Sequence, residues 1–80
     1  MAKRRAMFVF PSELVREPII YNLSYQFNLV TNIWHANISD EEGWVELELK
    51  GKEENIEQGI AWMTSRGVRV TPVTGDVGEE

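Results

Sequence analysis

The stretch Leu29–Ser39 reads LVTNIWHANIS and is the longest run in the chain with the composition of a β-strand. Its β-branched and aromatic residues suit a pleated, half-buried surface. Strict alternation nevertheless fails, because each face of a regular strand would mix polar and apolar side chains here. This mixture predicts a β-bulge, or a strand whose outer face is covered by something other than solvent. Two asparagines and the only histidine lie in the same run, so a binding site is expected here first.

The elements around this strand follow from the spacing of apolar residues. Strands are indicated where apolar side chains alternate or run continuously, and helices where they recur every three to four residues. Gly59 lies inside the second helical pattern at a cost of about 1 kcal/mol, which indicates a neighbour packed very close to it. The predicted elements are a strand over 5–10, a helix over 18–27 capped by Asn28, the strand within 29–39, a strand over 44–50, a helix over 53–66 and a strand over 68–73.

The order β-α-β-β-α-β defines the predicted fold. Right-handed crossovers turn this order into a four-stranded antiparallel sheet with both helices on one face, the ferredoxin-like α+β sandwich. The strand order 4-1-3-2 then places the 29–39 strand at one edge. Eighty residues are enough for one small domain, with its core over about 5–73 and an acidic, flexible tail over 74–80.

Composition excludes several classes of function. The absence of cysteine excludes disulfides, thiolate metal sites and bound iron–sulfur clusters. A net charge of −5 argues against a general nucleic-acid binder, which needs a concentrated basic surface. The apolar run near the N-terminus is too short for a signal sequence or a membrane span, so a cytoplasmic protein without membrane insertion is expected.

The polar residues predict neither catalysis nor metal binding. His35 has no second imidazole and no cysteine to share a metal ion with. None of the serines lies in a glycine-flanked nucleophile turn, and the carboxylates Glu46 and Glu48 fit a solvated strand face. We therefore expect a protein that is not an enzyme, with no catalytic residue, no metal site and no cofactor.

The sheet face opposite the helices raises the question of a partner. It is expected to show an apolar patch around Trp34 and Trp44 beside an open strand edge, and such surfaces usually bind another protein. A homodimer is the commonest solution. The alternative is that one tryptophan packs under the 11–17 connection while charge protects the edge.

Asn32 and Asn37 need an explanation, because asparagine is depleted from strands. Each side chain offers both donors and an acceptor, which suits a zwitterionic amino acid. The alternative is that each asparagine satisfies a bulge or the end of the strand.

The strand that contains Asn32 resembles the one after which the NIL domain family is named, with Trp34 where leucine usually follows Asn-Ile. The resemblance extends over residues 5–73. Its further segments are the strand ending in FP at 10–11, EPII at 17–20, IAWM at 60–63 and GVRV at 67–70.

This resemblance implies a function as well as a ferredoxin-like, ACT-like fold. NIL domains are the C-terminal regulatory domains of methionine-importer ATPases, where they pair as dimers and methionine bound near the dimer interface inhibits transport. We therefore expect a homodimeric sensor of methionine or a similar apolar amino acid. With no ATPase domain in this chain, it would act in trans on a transporter ATPase or a sulfur-metabolism partner. Some relatives are joined to ferredoxin-type domains, which adds a redox partner to these expectations.

The expected ligand site lies on the same strand. Asn32 would hold the polar end of the amino acid, and the apolar pocket would be shaped by Ile33, Trp34, Ala36 and Ile38. The rival hypothesis is a ligand-free interaction module whose sheet face binds a partner protein.

Overall fold

The secondary structure follows the predicted order, with one short helix added. The structure is a computed structural model that describes residues 1–39 and 41–73. The elements in this part of the chain are β1 (Ala2–Pro11), α1 (Ser12–Val15), α2 (Ile19–Phe27), β2 (Val30–Ile38), β3 (Glu42–Gly51), α3 (Glu53–Ser65) and β4 (Arg69–Pro72). The sequence predicted only a connection where α1 lies. Asp40 of the predicted acidic turn and the predicted tail over 74–80 lie outside the described residues.

The strands form one antiparallel sheet in the order β2-β3-β1-β4. The predicted α+β, ferredoxin-like fold is therefore confirmed, and β2 lies at an edge as expected. Across residues 1–39 and 41–73 we find no helix with both the length and the apolar character that a membrane span requires.

The core lies between the helices and one face of the two central strands. On β3, the predicted alternation turns Val45, Leu47 and Leu49 inward, and all three are almost completely buried. The remaining core side chains come from β1, from the helices and from two connecting segments. They are Ala6, Phe8, Phe10, Leu14, Ile19, Leu23, Leu29, Ile56, Met63 and Val68.

The predicted close approach at Gly59 is confirmed. A Cβ added to this residue would lie only 2.8 Å from Leu23 Cδ1 and 3.2 Å from Leu29 Cδ1. Because atoms in the core are already close-packed, a side chain at Gly59 would force α2 and α3 apart. The close contact of α3 with Leu23 and Leu29 therefore depends on glycine at position 59.

Candidate functional site

The predicted β-bulge lies in the middle of β2. Ile33 pairs with Leu47 and His35 pairs with the next residue of β3, Glu46, so Trp34 is the extra residue. Beyond this point the alternation of β2 is reversed relative to the first half of the strand. The mixed faces that the sequence showed are therefore the consequence of one inserted residue.

The bulge divides the five predicted ligand-binding residues between the two faces of the sheet. On the helix side lie Ile33, Ala36 and Ile38, whose partners in β3 are Leu47, Val45 and Gly43. Asn32 lies opposite Glu48 and therefore on the other, open face. Trp34 also reaches Glu48, so it belongs to the open face as well. Within a single chain the five residues therefore lie on two opposite surfaces of the sheet.

A network of charged side chains holds Trp34 on the open face. The indole Nε1 of Trp34 donates to Glu48 Oε1 at 3.2 Å, and the Arg5 guanidinium carbon lies 4.0 Å from the indole ring centroid. Arg5 Nε is 3.0 Å from Glu46 Oε2, and His35 Nδ1 is 2.9 Å from Glu46 Oε1. The side chains of Glu46 and Glu48 are only 13% and 18% exposed. The expected apolar patch is thus interrupted by charged side chains around the bulge.

This network does not form a metal site. No three His, Cys, Asp or Glu side chains of the described residues lie close enough together to hold a metal ion.

The exposed apolar side chains are concentrated at one edge of the molecule. Apart from Met1, every large apolar side chain exposed in the described residues belongs to α2 or β2, and these side chains are between 51% and 77% exposed. They are Tyr21, Tyr25, Val30, Ile33, Trp34 and Ile38. α2 lies over the β2 side of the sheet, so its tyrosines and β2 border the same edge. We call this surface the β2 edge.

α2 differs from ordinary surface helices in having no charged residue. Its exposed Tyr21 and Tyr25 stack on each other, with ring centroids 6.0 Å apart and an angle of 12° between the rings. Exposed helix faces usually carry charged side chains, whereas aromatic residues are enriched in binding surfaces. α2 therefore extends the apolar surface of β2.

A groove of about 240 Å³ opens beside the β2 edge, between the start of α2, the end of β2 and the start of β3. Gly43 forms part of its floor, where an added Cβ would lie 3.3 Å from Ile38 Cγ1. Its volume suits a molecule smaller than a typical drug. The lining residues are Phe10, Leu14, Val15, Glu17, Pro18, Ile19, Ile20, Tyr21, Ile38, Gly43 and Val45.

The groove unites one predicted site residue with a segment that sequence reasoning passed over. Ile38 was predicted to shape an apolar pocket, and it lines this groove. Four other lining residues lie between β1 and α2, and they are Leu14, Val15, Glu17 and Pro18. The sequence predicted only a connection at the first three of these. Glu17 is the one charged residue in the lining.

Comparison with known proteins agrees with the fold and the β2 motif. The family model of the NIL domain matches residues 4–72. The chain therefore belongs to the NIL domain family. No curated protein sequence matches it significantly.

Among solved structures, the chain is similar to the C-terminal domain of an ABC transporter ATP-binding protein from Enterococcus faecalis. The TM-score is 0.77 at 22% sequence identity, and the match covers 96% of this chain and 86% of the other. At this identity the likeness establishes the shared fold.

Proposed function

We propose that this NIL domain is a regulatory binding module that pairs with a second copy through the β2 edge and binds an apolar amino acid in the adjoining groove. The observation that carries this proposal is the concentration of exposed apolar side chains on α2 and β2, beside the groove. Membership of the NIL family and the likeness to a domain of a transporter ATP-binding protein support a regulatory role. The partner regulated in trans would be a transporter ATPase, a sulfur-metabolism enzyme or a ferredoxin-type protein.

The backbone of β2 supports pairing with a second copy. In residues 1–39 and 41–73 no strand pairs with its outward N–H and C=O groups, and edge strands of this kind readily pair with another chain. Val30–Ile38 contains no proline and no lysine, the residues that usually protect such edges, and its one ionisable side chain, His35, is held by Glu46. Antiparallel pairing of two β2 strands gives a closed, two-fold symmetric dimer.

The same pairing completes the groove. Ile38 belongs both to the groove and to the β2 edge, so a second copy at that edge would cover the open side of the groove. Ile33 and Ala36 on the helix side would then contribute to the apolar wall. A ligand held between two copies stabilises the dimer by mass action, and this coupling is how amino-acid binding would become a signal.

Asn32 remains a proposed ligand contact, on different grounds. Its amide lies on the open face and the groove lies on the helix face, so it does not reach the groove within its own chain. Its proposed role rests on the family motif and on the donor and acceptor that its amide offers.

The stacked tyrosines favour a second candidate function, a ligand-free interaction module. Tyrosine contributes a large contact area at a low entropic cost and is enriched in protein interfaces. Under this alternative, α2 and β2 would bind a partner protein without any amino acid in the groove.

A titration of isotope-labelled protein with methionine and a panel of other amino acids, followed by two-dimensional amide NMR, separates the two functions. The sensor predicts saturable shifts at Ile38, Gly43 and the start of α2. A flat response at millimolar ligand would contradict the sensor and support the interaction module. The variant Gly43→Ala provides a steric check, because the added methyl group would crowd Ile38 at the groove wall and should weaken binding.

A further inference from the structure

The one charged side chain that lines the groove is half of an ion pair. Arg66 Nη2, just beyond the end of α3, donates to Glu17 Oε1 at 2.6 Å. The Arg66 guanidinium also lies 5.5 Å from the ring of Trp62 one turn earlier, which restricts where it can go. Glu17 lines an otherwise apolar groove, and it is paired with a cationic group, Arg66, that lies beside the groove without lining it.

We propose that Glu17 and Arg66 recognise the two charged groups of the ligand. This recognition would make the groove selective for zwitterionic amino acids with an apolar side chain. Glu17 would accept hydrogen bonds from the ligand's ammonium group, and Arg66 would donate to its carboxylate. This inference rests on the proposed amino-acid binding and adds the residues that define the ligand class.

Both groups have hydrogen-bonding capacity left for a ligand. Glu17 uses Oε1 for Arg66, and Oε2 has no hydrogen-bond partner among the described residues. A guanidinium carries five N–H donors, of which this bond uses one. The side chains of Arg66 and Glu17 are 35% and 46% exposed, so a ligand can reach them without unfolding the chain.

Stabilisation of the fold alone is a weak explanation for the pair. Partly exposed ion pairs contribute little to stability, because water and salt screen them. The same charges can contribute more to ligand binding. A ligand in the neighbouring apolar groove would exclude water, and hydrogen bonds to charged groups are stronger when water is excluded. The pair also provides one charge of each sign, as a zwitterion requires.

The first test uses the wild-type chain and three probes, measured by calorimetry or NMR titration. L-methionine carries both charges, 4-(methylthio)butanoate lacks the amino group, and 3-(methylthio)propylamine lacks the carboxylate. We expect each single-charge probe to bind about tenfold more weakly than methionine, or worse, because one charge-assisted hydrogen bond is lost. Equal binding of methionine and both single-charge probes would overturn the inference while leaving the proposed function standing. Failure of the wild type to bind methionine would overturn both.

The second test assigns each charge to a residue. Glu17→Gln should abolish the preference for methionine over 4-(methylthio)butanoate, and Arg66→Gln should abolish the preference over 3-(methylthio)propylamine. Glu13→Gln and Arg69→Gln are the matched controls, since these exposed residues neither line the groove nor, within the described part of the chain, hydrogen-bond through their side chains to a residue that lines it. Preferences that stay unchanged in both groove variants would overturn the assignment. Because the selectivity is a ratio within one variant, a change in stability does not mimic it.

Discussion

β2 and β3 pair along most of their length, yet their side chains have opposite surroundings. β3 is central, and its inward side chains are almost completely buried beneath the helices. β2 has a similar share of apolar residues, but nearly all of its side chains are exposed. The difference is one of position, because β2 has a neighbouring strand on one side only. β3 stabilises the fold, and β2 retains apolar surface that a partner can cover.

Truncating one side chain on each strand is the strongest test of the difference in burial between β2 and β3. Leu47→Ala should lower the free energy of unfolding by about 2–5 kcal/mol, because it leaves a cavity in the core. Ile33→Ala, at the residue paired with Leu47, should cost less than about 1 kcal/mol in the monomer, since more than half of Ile33 is exposed. Urea denaturation at low protein concentration measures both. An equal decrease in the free energy of unfolding for both variants would mean that Ile33 is as buried as Leu47.

A charge on β2 should have its main effect on pairing. We expect Ile33→Lys to weaken the dimer at least tenfold, or about 1.4 kcal/mol, while the monomer stays folded. Sedimentation velocity over a concentration series measures this effect. Gln58→Lys, on the exposed face of α3, is the matched control and should change nothing. A similar loss in both variants would point to net charge rather than to the β2 edge.

The bulge is the point at which β2 departs most from β3. Trp34→Leu removes the hydrogen bond to Glu48 and the contact with Arg5, and should cost about 1 kcal/mol of stability. Trp34→Phe keeps a ring beneath Arg5 and should recover part of that loss. Thermal unfolding followed by circular dichroism measures the series. A leucine variant as stable as the wild type would show that the network does not stabilise the bulge.

The smallest effect is expected for Asn32, on the exposed face of β2. Asn32→Ala should weaken methionine binding severalfold and leave the fold unchanged. Asn37→Ala, also on the open face of this strand, is the control. NMR titration measures both affinities. An unchanged affinity in Asn32→Ala would remove this residue from the site.

Much of the fold was predictable because its signals are local. Alternation identified β3, and the imperfect alternation of β2 indicated the bulge that Trp34 forms. Gly59 indicated a close neighbour, because glycine is unfavourable inside a helix. The structure identifies that neighbour as Leu23. Each of these signals lies within one element of the sequence.

The candidate site was less predictable because it depends on contacts between distant segments. Glu17 and Arg66 are 49 residues apart, and the local sequence at either position does not indicate that the two side chains meet. The network of Arg5, Trp34 and Glu48 likewise depends on how three strands align, whereas the sequence alone assigned Glu48 to a solvated strand face. The inserted residue Trp34 also places Ala36 and Ile38 on the opposite face of the sheet from Asn32. The residues predicted to form one pocket therefore lie on two surfaces.

The most direct test of the β2 edge is amide hydrogen exchange at several protein concentrations, because the sheet has a second edge, β4, as an internal control. We predict that the outward amides of Val30–Ile38 become protected as protein concentration rises, and more so with methionine, while the amides of Arg69, Val70 and Thr71 do not change. Exchange in β2 that is independent of both concentration and methionine would contradict pairing at this edge.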